Sequence, residues 1–221
     1  MTDPRVDLAA NVAEIRGRIA DAASRSGRNP DAITLIAAAK TVGTDALVAV
    51  LAAGVVDLGE NRTQELLAKA PLLADGPVAP VWHFIGALQR NKVRALAPWV
   101  QRWHTIDRLE LAETVARHAP GARVLVEVNL GDESAKAGCA PDDVPALVDA
   151  VRDRDLVVEG LMAVPPHDAD PRRWFASLRE LAAQEGLPQL SMGMSHDYEI
   201  AVEEGATMVR VGRALFGERA V

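Results

Sequence analysis

The sequence predicts a closed (β/α)8 TIM barrel, a single domain over residues 1–221 with an extra helix ahead of the first strand. Short apolar runs of about four to eight residues, rich in β-branched and large apolar types, recur eight times, and each reads as a buried strand. Stretches with helical periodicity separate them. Strict alternation of this kind implies parallel strands, because a crossover helix returns the chain in the same direction. Eight such units in 221 residues suit a barrel slightly smaller than usual, and no long linker, low-complexity tract or composition break divides the chain. A doubly wound open sheet is the alternative.

The elements follow in order. An amphipathic helix is expected from about Val6 to Ser26. Strands are expected at Ile33–Ala39, Val55–Leu58, Val81–Ile85, Trp103–Ile106, Val124–Leu130, Val157–Val164, Gln189–Met194 and Met208–Val211. The helical stretches between them are Thr44–Ala53, Arg62–Leu73, Leu88–Ala97, Asp107–His118, Pro141–Arg154, Pro171–Glu185 and Asp197–Glu204. Asp107, with Glu110 three residues later, has the spacing of a capping box. Pro141 and Pro171 suit the first turn of a helix, where the missing N–H had no partner anyway. Gly54, Gly186 and Gly205 sit where helices should stop.

Composition narrows the function. Hydrophobic residues make up 49% and charged residues 25%, the balance of a globular domain rather than a disordered or multi-span membrane protein. Twenty-four Lys and Arg against 31 Asp and Glu leave a net charge of −7, which disfavours general nucleic-acid binding, where cations must neutralise phosphates. The single cysteine, Cys139, cannot form an internal disulfide and fits a reducing compartment. The N-terminus shows no signal pattern, and no apolar run approaches the roughly 20 residues that span a bilayer. A cytoplasmic protein is expected, and no metal site, because no ligand cluster has convincing spacing.

In a (β/α)8 barrel the working residues lie at the C-terminal ends of the strands. The first strand runs into Lys40, which should project into the mouth of the barrel. A neutral amine there is the nucleophile that forms Schiff bases, although a strand-end lysine can also simply extend its ammonium to water. Met192-Gly193-Met194-Ser195 and Arg210-Val211-Gly212-Arg213 each pass from a strand into a helix. Glycine turns and helix starts bind phosphate, and such barrels commonly bind it after strands seven and eight. In a closed barrel these strands adjoin strand one, so the two features describe one ligand, a phosphorylated aldehyde or ketone. The competing reading is that Gly193 and Gly212 only make tight turns. His83 and His104 could each contact a ligand or be hydrogen-bonded structural residues. His118 and His167 read as surface or loop positions, and Cys139 as a residue without a role.

The chain resembles the pyridoxal phosphate homeostasis protein family, the single-domain, alanine-racemase-like barrel proteins that bind pyridoxal 5′-phosphate (PLP). The matching segments are Ala39-Lys40-Thr41, Gly59-Glu60-Asn61, Trp82-His83-Phe84-Ile85-Gly86 with Leu88-Gln89 and Asn91-Lys92, and His104-Thr105-Ile106-Asp107. Further matches are Asn129 with Glu133, Lys136 and Gly138, then Gly160-Leu161-Met162-Ala163, Ser191-Met192-Gly193-Met194-Ser195, and Thr207 to Gly212 with Phe216-Gly217. They run in order through almost the whole chain. Departures are Arg62 for a common tyrosine, Ala87 for a common proline and His196 for a common aspartate.

The resemblance implies that Lys40 holds PLP as an internal aldimine and that Ser195, with the backbone of Gly212 and Arg213, holds its phosphate. It further implies that Arg210 faces the pyridine nitrogen and that Asn61, His83, Met192 and Gly193 line the pocket. An Arg210 paired with a carboxylate such as Glu127 is the alternative for that residue. The function implied is a cytoplasmic PLP-binding protein of vitamin B6 homeostasis, a monomer or weak dimer, with apo PLP-dependent enzymes as recipients and no robust turnover of its own. A weak amino-acid racemase and a cofactor-free Schiff-base aldolase acting on a sugar phosphate are the alternatives. Two-base racemisation needs an acid–base group on each face of the substrate, and the only tyrosine, Tyr198, follows strand seven.

Overall fold

β1 (Thr34–Ala38), β2 (Asp57–Glu60), β3 (Val81–Phe84), β4 (Val100–Ile106), β5 (Arg123–Glu127), β6 (Val157–Met162), β7 (Gln189–Ser191) and β8 (Met208–Val211) pair in chain order, all in parallel. β8 then pairs with β1, Ile36 opposite Arg210 and Ala37 opposite Val211, which closes the barrel and excludes the open sheet. This computed structural model describes residues 7–131, 133, 136–166 and 170–217, so His167 of the sequence reading lies outside the described residues. No helix among the described residues is long and apolar enough to cross a membrane.

The helices are α1 (Leu8–Arg25), α2 (Thr44–Ala52), α3 (Thr63–Ala74), α4 (Arg90–Leu96), α5 (Leu109–His118), α6 (Val144–Arg152), α7 (Pro171–Gln184), α8 (Tyr198–Glu203) and a short α9 (Arg213–Phe216). α1 is the extra helix. It turns Val12, Ile15, Ile19, Ala22 and Ala23 inward, and Asn11 donates to the Leu215 carbonyl at 2.8 Å. Ion pairs of Arg18 with Glu199 and of Arg25 with Glu203 tie its exposed side to α8. Gly54, Gly186 and Gly205 follow the helix ends with φ of +85°, +64° and +109°, as their positions suggested.

Two expectations about helix starts are corrected. Asp107 does not cap α5: the N-cap is Arg108, no side chain caps it, and the Asp107 carboxylate pairs with the Arg108 guanidinium instead. Pro141 opens a 3-10 turn over Pro141–Asp143, and α6 begins only at Val144. Pro171 does occupy the first turn of α7, where Asp170 accepts from the Arg172 N–H. β5 and β7 also stop short of the predicted ends. Beyond Glu127 the chain leaves the ladder, and Asn129 N–H turns to the Cys139 carbonyl at 2.9 Å.

Alternate residues of a strand point to opposite faces. Leu35 and Ala37 of β1, Val209 and Val211 of β8 and Val124 and Val126 of β5 belong to the core between sheet and helices. The residues between them face the barrel interior. That interior is unusually polar, with His83, His104, Ser191 and Arg210 all buried there beside Ile36, Leu125 and Met208.

Candidate functional site

The mouth is assembled from the ends of β1 and β8. Ile36, Gly59 and Ile85 meet inside the barrel, since a Cβ on Gly59 would lie 2.9 Å from both Ile36 Cγ2 and Ile85 Cδ1. Ala38 continues the Ile36 face by strand alternation. Ala38 is close to the start of α9, because a Cβ on Gly212 would lie 3.4 Å from Ala38 Cβ. Lys40 is half-buried just past the end of β1, and Thr41 beyond it has φ +62°.

Beside it, Ser195 Oγ accepts the backbone N–H groups of Gly212 and Ala214, each at 3.2 Å. The second donor is thus Ala214, one residue beyond the Arg213 named from the sequence, and the Arg213 residue is exposed. The turn that presents Ser195 is held from below. The buried Asp197 accepts the Met194 N–H at 2.6 Å, and Gly193 O accepts the Arg210 N–H at 3.0 Å. Gly193 has φ +89°, and a Cβ there would lie 2.5 Å from Ala201 Cβ, so only glycine fits. Asn61 is half-buried with a buried Oδ1 that has no hydrogen-bond partner. Of the three departures from the resemblance, Arg62 is exposed and pairs with Glu65 at 3.2 Å, and Ala87 and His196 are exposed.

Two sequence-predicted residues sit elsewhere. Met192 is fully buried in the core between sheet and helices, because it follows the inward Ser191 and so points outward. Its side chain therefore lines no mouth pocket. His83 lies deeper, with both ring nitrogens engaged: Nε2 with Asp57 Oδ1 at 2.9 Å and Nδ1 with His104 Nε2 at 2.8 Å.

These contacts belong to a continuous interior chain. Arg210 Nη1 donates to Ser191 Oγ at 2.6 Å, and His104 Nδ1 lies 2.9 Å from the same oxygen. A guanidinium can only donate. Ser191 can therefore give its own proton to His104 Nδ1, His104 then donates from Nε2 to His83, and His83 donates to Asp57. This assignment satisfies every group with both imidazoles neutral. Neutral rings also suit their burial, which lowers the His83 pKa against the pull of Asp57 and holds that of His104 well below the ordinary value. The histidines were visible in the sequence, but Ser191 and Asp57 carried no signal that would have joined them to Arg210.

Arg210 Nη2 also donates to the Ala163 carbonyl at 3.1 Å. Burial pulls its pKa down to about 10, against the attraction of Glu127 and Asp197. The expected alternative, an Arg210–Glu127 pair, does not form as a hydrogen bond, and Glu127 Oε2 is buried without a partner. Burial, with Asp107 nearby, pushes the Glu127 carboxyl up to about 7, and Arg210 opposes the rise. Tyr198 packs its ring under Arg18 of α1, 5.4 Å from the guanidinium carbon, on the outer side of the sheet. Cys139 is partly buried, and burial pushes its thiol up to about 12.

The family model for the N-terminal domain of alanine racemase matches residues 8–220. A pyridoxal phosphate homeostasis protein of Pseudomonas aeruginosa is 44% identical over 222 residues, covering 96% of each chain. The chain belongs to the pyridoxal phosphate homeostasis protein family. Another member, from Aquifex aeolicus, is 42% identical and covers 91% of this chain and 94% of its own. Among solved structures, PipY of Synechococcus elongatus with PLP bound superimposes with a TM-score of 0.84 at 33% identity, covering 96% of this chain and 100% of its own.

Proposed function

We propose that this chain binds PLP through Lys40 and serves PLP homeostasis, as its relatives are named for doing. The observation that carries this reading is the convergence of the Gly212 and Ala214 N–H groups on Ser195, beside the β1 end that bears Lys40. A phosphate fits such a cluster of neutral donors. The unpartnered Asn61 Oδ1 and the buried Arg210 add polar groups for a ring with a heteroatom and a hydroxyl.

PLP supplies a reactive aldehyde, and Lys40 supplies the amine that can hold it covalently. Ser195 and the two backbone N–H groups would hold the phosphate. Arg210 spends one N–H on Ser191 and one on Ala163, which leaves three of its five for a ligand. It can only donate to a pyridine nitrogen, so that nitrogen stays unprotonated and is a poorer electron sink than one paired with a carboxylate. The arrangement therefore favours holding the cofactor over transforming amino acids on it. In a cytoplasmic setting the recipients would be apo forms of PLP-dependent enzymes.

The test is a visible spectrum of the protein with PLP, followed by borohydride reduction, intact mass and peptide mapping. The expected result is one adduct per chain on Lys40. An adduct on Lys92 or Lys136 instead, or equal affinity for PLP and unphosphorylated pyridoxal, would overturn the assignment.

A further inference from the structure

The β1 ladder ends at Ala38, paired with Gly59, and Ala39 N–H makes the last strand-like bond, to the Gly59 carbonyl at 2.7 Å. Lys40 therefore stands outside the sheet, in a turn closed by Val42 N–H to the Ala39 carbonyl at 3.0 Å. Thr41 takes φ +62° in that turn, an unfavourable conformation for a β-branched residue that persists only where the surroundings impose it.

The surroundings are an ion triad on β2 and α3. Lys69 Nζ donates to the Ala39 carbonyl at 2.7 Å, to Glu60 Oε2 at 2.7 Å and to Glu65 Oε2 at 2.8 Å, which uses all three of its protons. The same Glu65 oxygen accepts the Thr41 N–H at 2.6 Å. The peptide groups on both sides of Lys40 are thus held by one buried cluster. Glu60 is anchored in turn, since its Oε1 accepts Asn61 N–H at 2.8 Å and Arg62 N–H at 3.3 Å. The Lys69 side chain is 10% exposed and that of Glu60 fully buried. Buried ion pairs of this kind add little net stability over apolar packing, so their value lies in the geometry they specify.

We propose that the Glu60–Lys69–Glu65 triad is the positioning device for Lys40, fixing its backbone so that its amine meets the carbonyl of a bound aldehyde. This rests on the reading of Lys40 given under Proposed function. In the step concerned, the Lys40 nitrogen bonds to the aldehyde carbon, and the carbonyl oxygen leaves as water with the two amine protons. Lys69 takes no part in that exchange and touches neither reactant. A misplacement of about 1 Å in a reacting group can slow a reaction by roughly a hundredfold.

The test compares Lys69→Met and Glu65→Ala with the unaltered chain. The second variant frees Thr41 N–H but keeps Lys69 on Glu60 and Ala39, so it stays informative if the first does not fold. Covalent attachment of PLP is timed by borohydride quenching and intact mass. Affinity for pyridoxine 5′-phosphate, which has the phosphate and ring but no aldehyde, is measured in parallel. Attachment is expected to slow about tenfold or more while pyridoxine phosphate affinity stays within about twofold. Unchanged attachment rates, or an equal fall in both measurements, would overturn the proposal. Failure of the unaltered chain to form an adduct on Lys40 would overturn the functional reading and this proposal together. An adduct there, with variants indistinguishable from it, would overturn this proposal alone.

Discussion

Replacing His104 by leucine should be among the most damaging single changes in the barrel interior, and the hydrogen-bond chain sets the size of the effect. Leucine fills much of the same volume but leaves two groups stranded: the Ser191 hydroxyl proton and His83 Nδ1, both on fully buried residues. Each buried group without a partner costs about 1–3 kcal/mol, so His104→Leu should cost about 2–6 kcal/mol. That is a large share of a global stability of about 5–15 kcal/mol. His83→Leu should cost less, about 1–3 kcal/mol, because it strands only His104 Nε2–H in the interior. Asp57, the other partner of His83, has a 20% exposed side chain and can turn to water. In the double variant only the Ser191 proton remains stranded, against three groups summed over the single variants, so the two costs should fall short of additivity by about 2–6 kcal/mol. Urea titration followed by tryptophan fluorescence, with four tryptophans present, measures all three. Costs that add within about 0.5 kcal/mol, or a His83 variant as damaged as the His104 variant, would refute the chain as drawn.

Four further outcomes are expected. Ser195→Ala removes the hydroxyl that accepts two backbone N–H groups and whose own proton is the donor for a phosphate oxygen, and should weaken PLP binding about ten- to a hundredfold, the worth of one hydrogen bond to a charged group, with little change in unphosphorylated pyridoxal binding; isothermal titration with both ligands checks it. Glu127 keeps its proton in the folded chain up to a pH of about 7 but would lose it near 4.5 when unfolded, so its contribution is full below 4.5 and disappears as pH rises through 7. Glu127→Gln should therefore gain stability relative to the parent between pH 5 and 8, and melts across that range that stay parallel would contradict it. His83 and His104 act in the opposite sense: both are held below 6.5 when folded, so the protein should lose stability as pH falls below 6.5, and His104→Leu should flatten that slope. Cys139, with its thiol pushed up to about 12, should react with iodoacetamide at pH 8 far more slowly than a free cysteine, as intact mass against time would show.

The sequence by itself determined the barrel, the extra helix and the two halves of the mouth. Strand and helix periodicity are local properties, written in the chain wherever a face must be buried, and the rule that such barrels work at their strand ends selected Lys40, Ser195, Arg210 and Gly212 without coordinates. The resemblance added a ligand to that geometry. It misplaced Met192 because a motif does not say which of its residues point inward, and one position along a strand reverses the face. What only the tertiary structure decided is who meets whom across the barrel. Asp57, His83, His104, Ser191 and Arg210 come from five different strands, and no spacing along the chain relates them; the closure of β8 on β1 and the stagger of the strands bring them into line. Lys69 makes the same point from a helix. In the sequence it reads as one more charged residue of an amphipathic segment, and it becomes the holder of the Lys40 turn only because α3 packs with that side chain under the end of β1. Hydrogen bonds between distant segments depend on register and closure, which are properties of the whole fold, whereas the faces of single elements are properties of the chain.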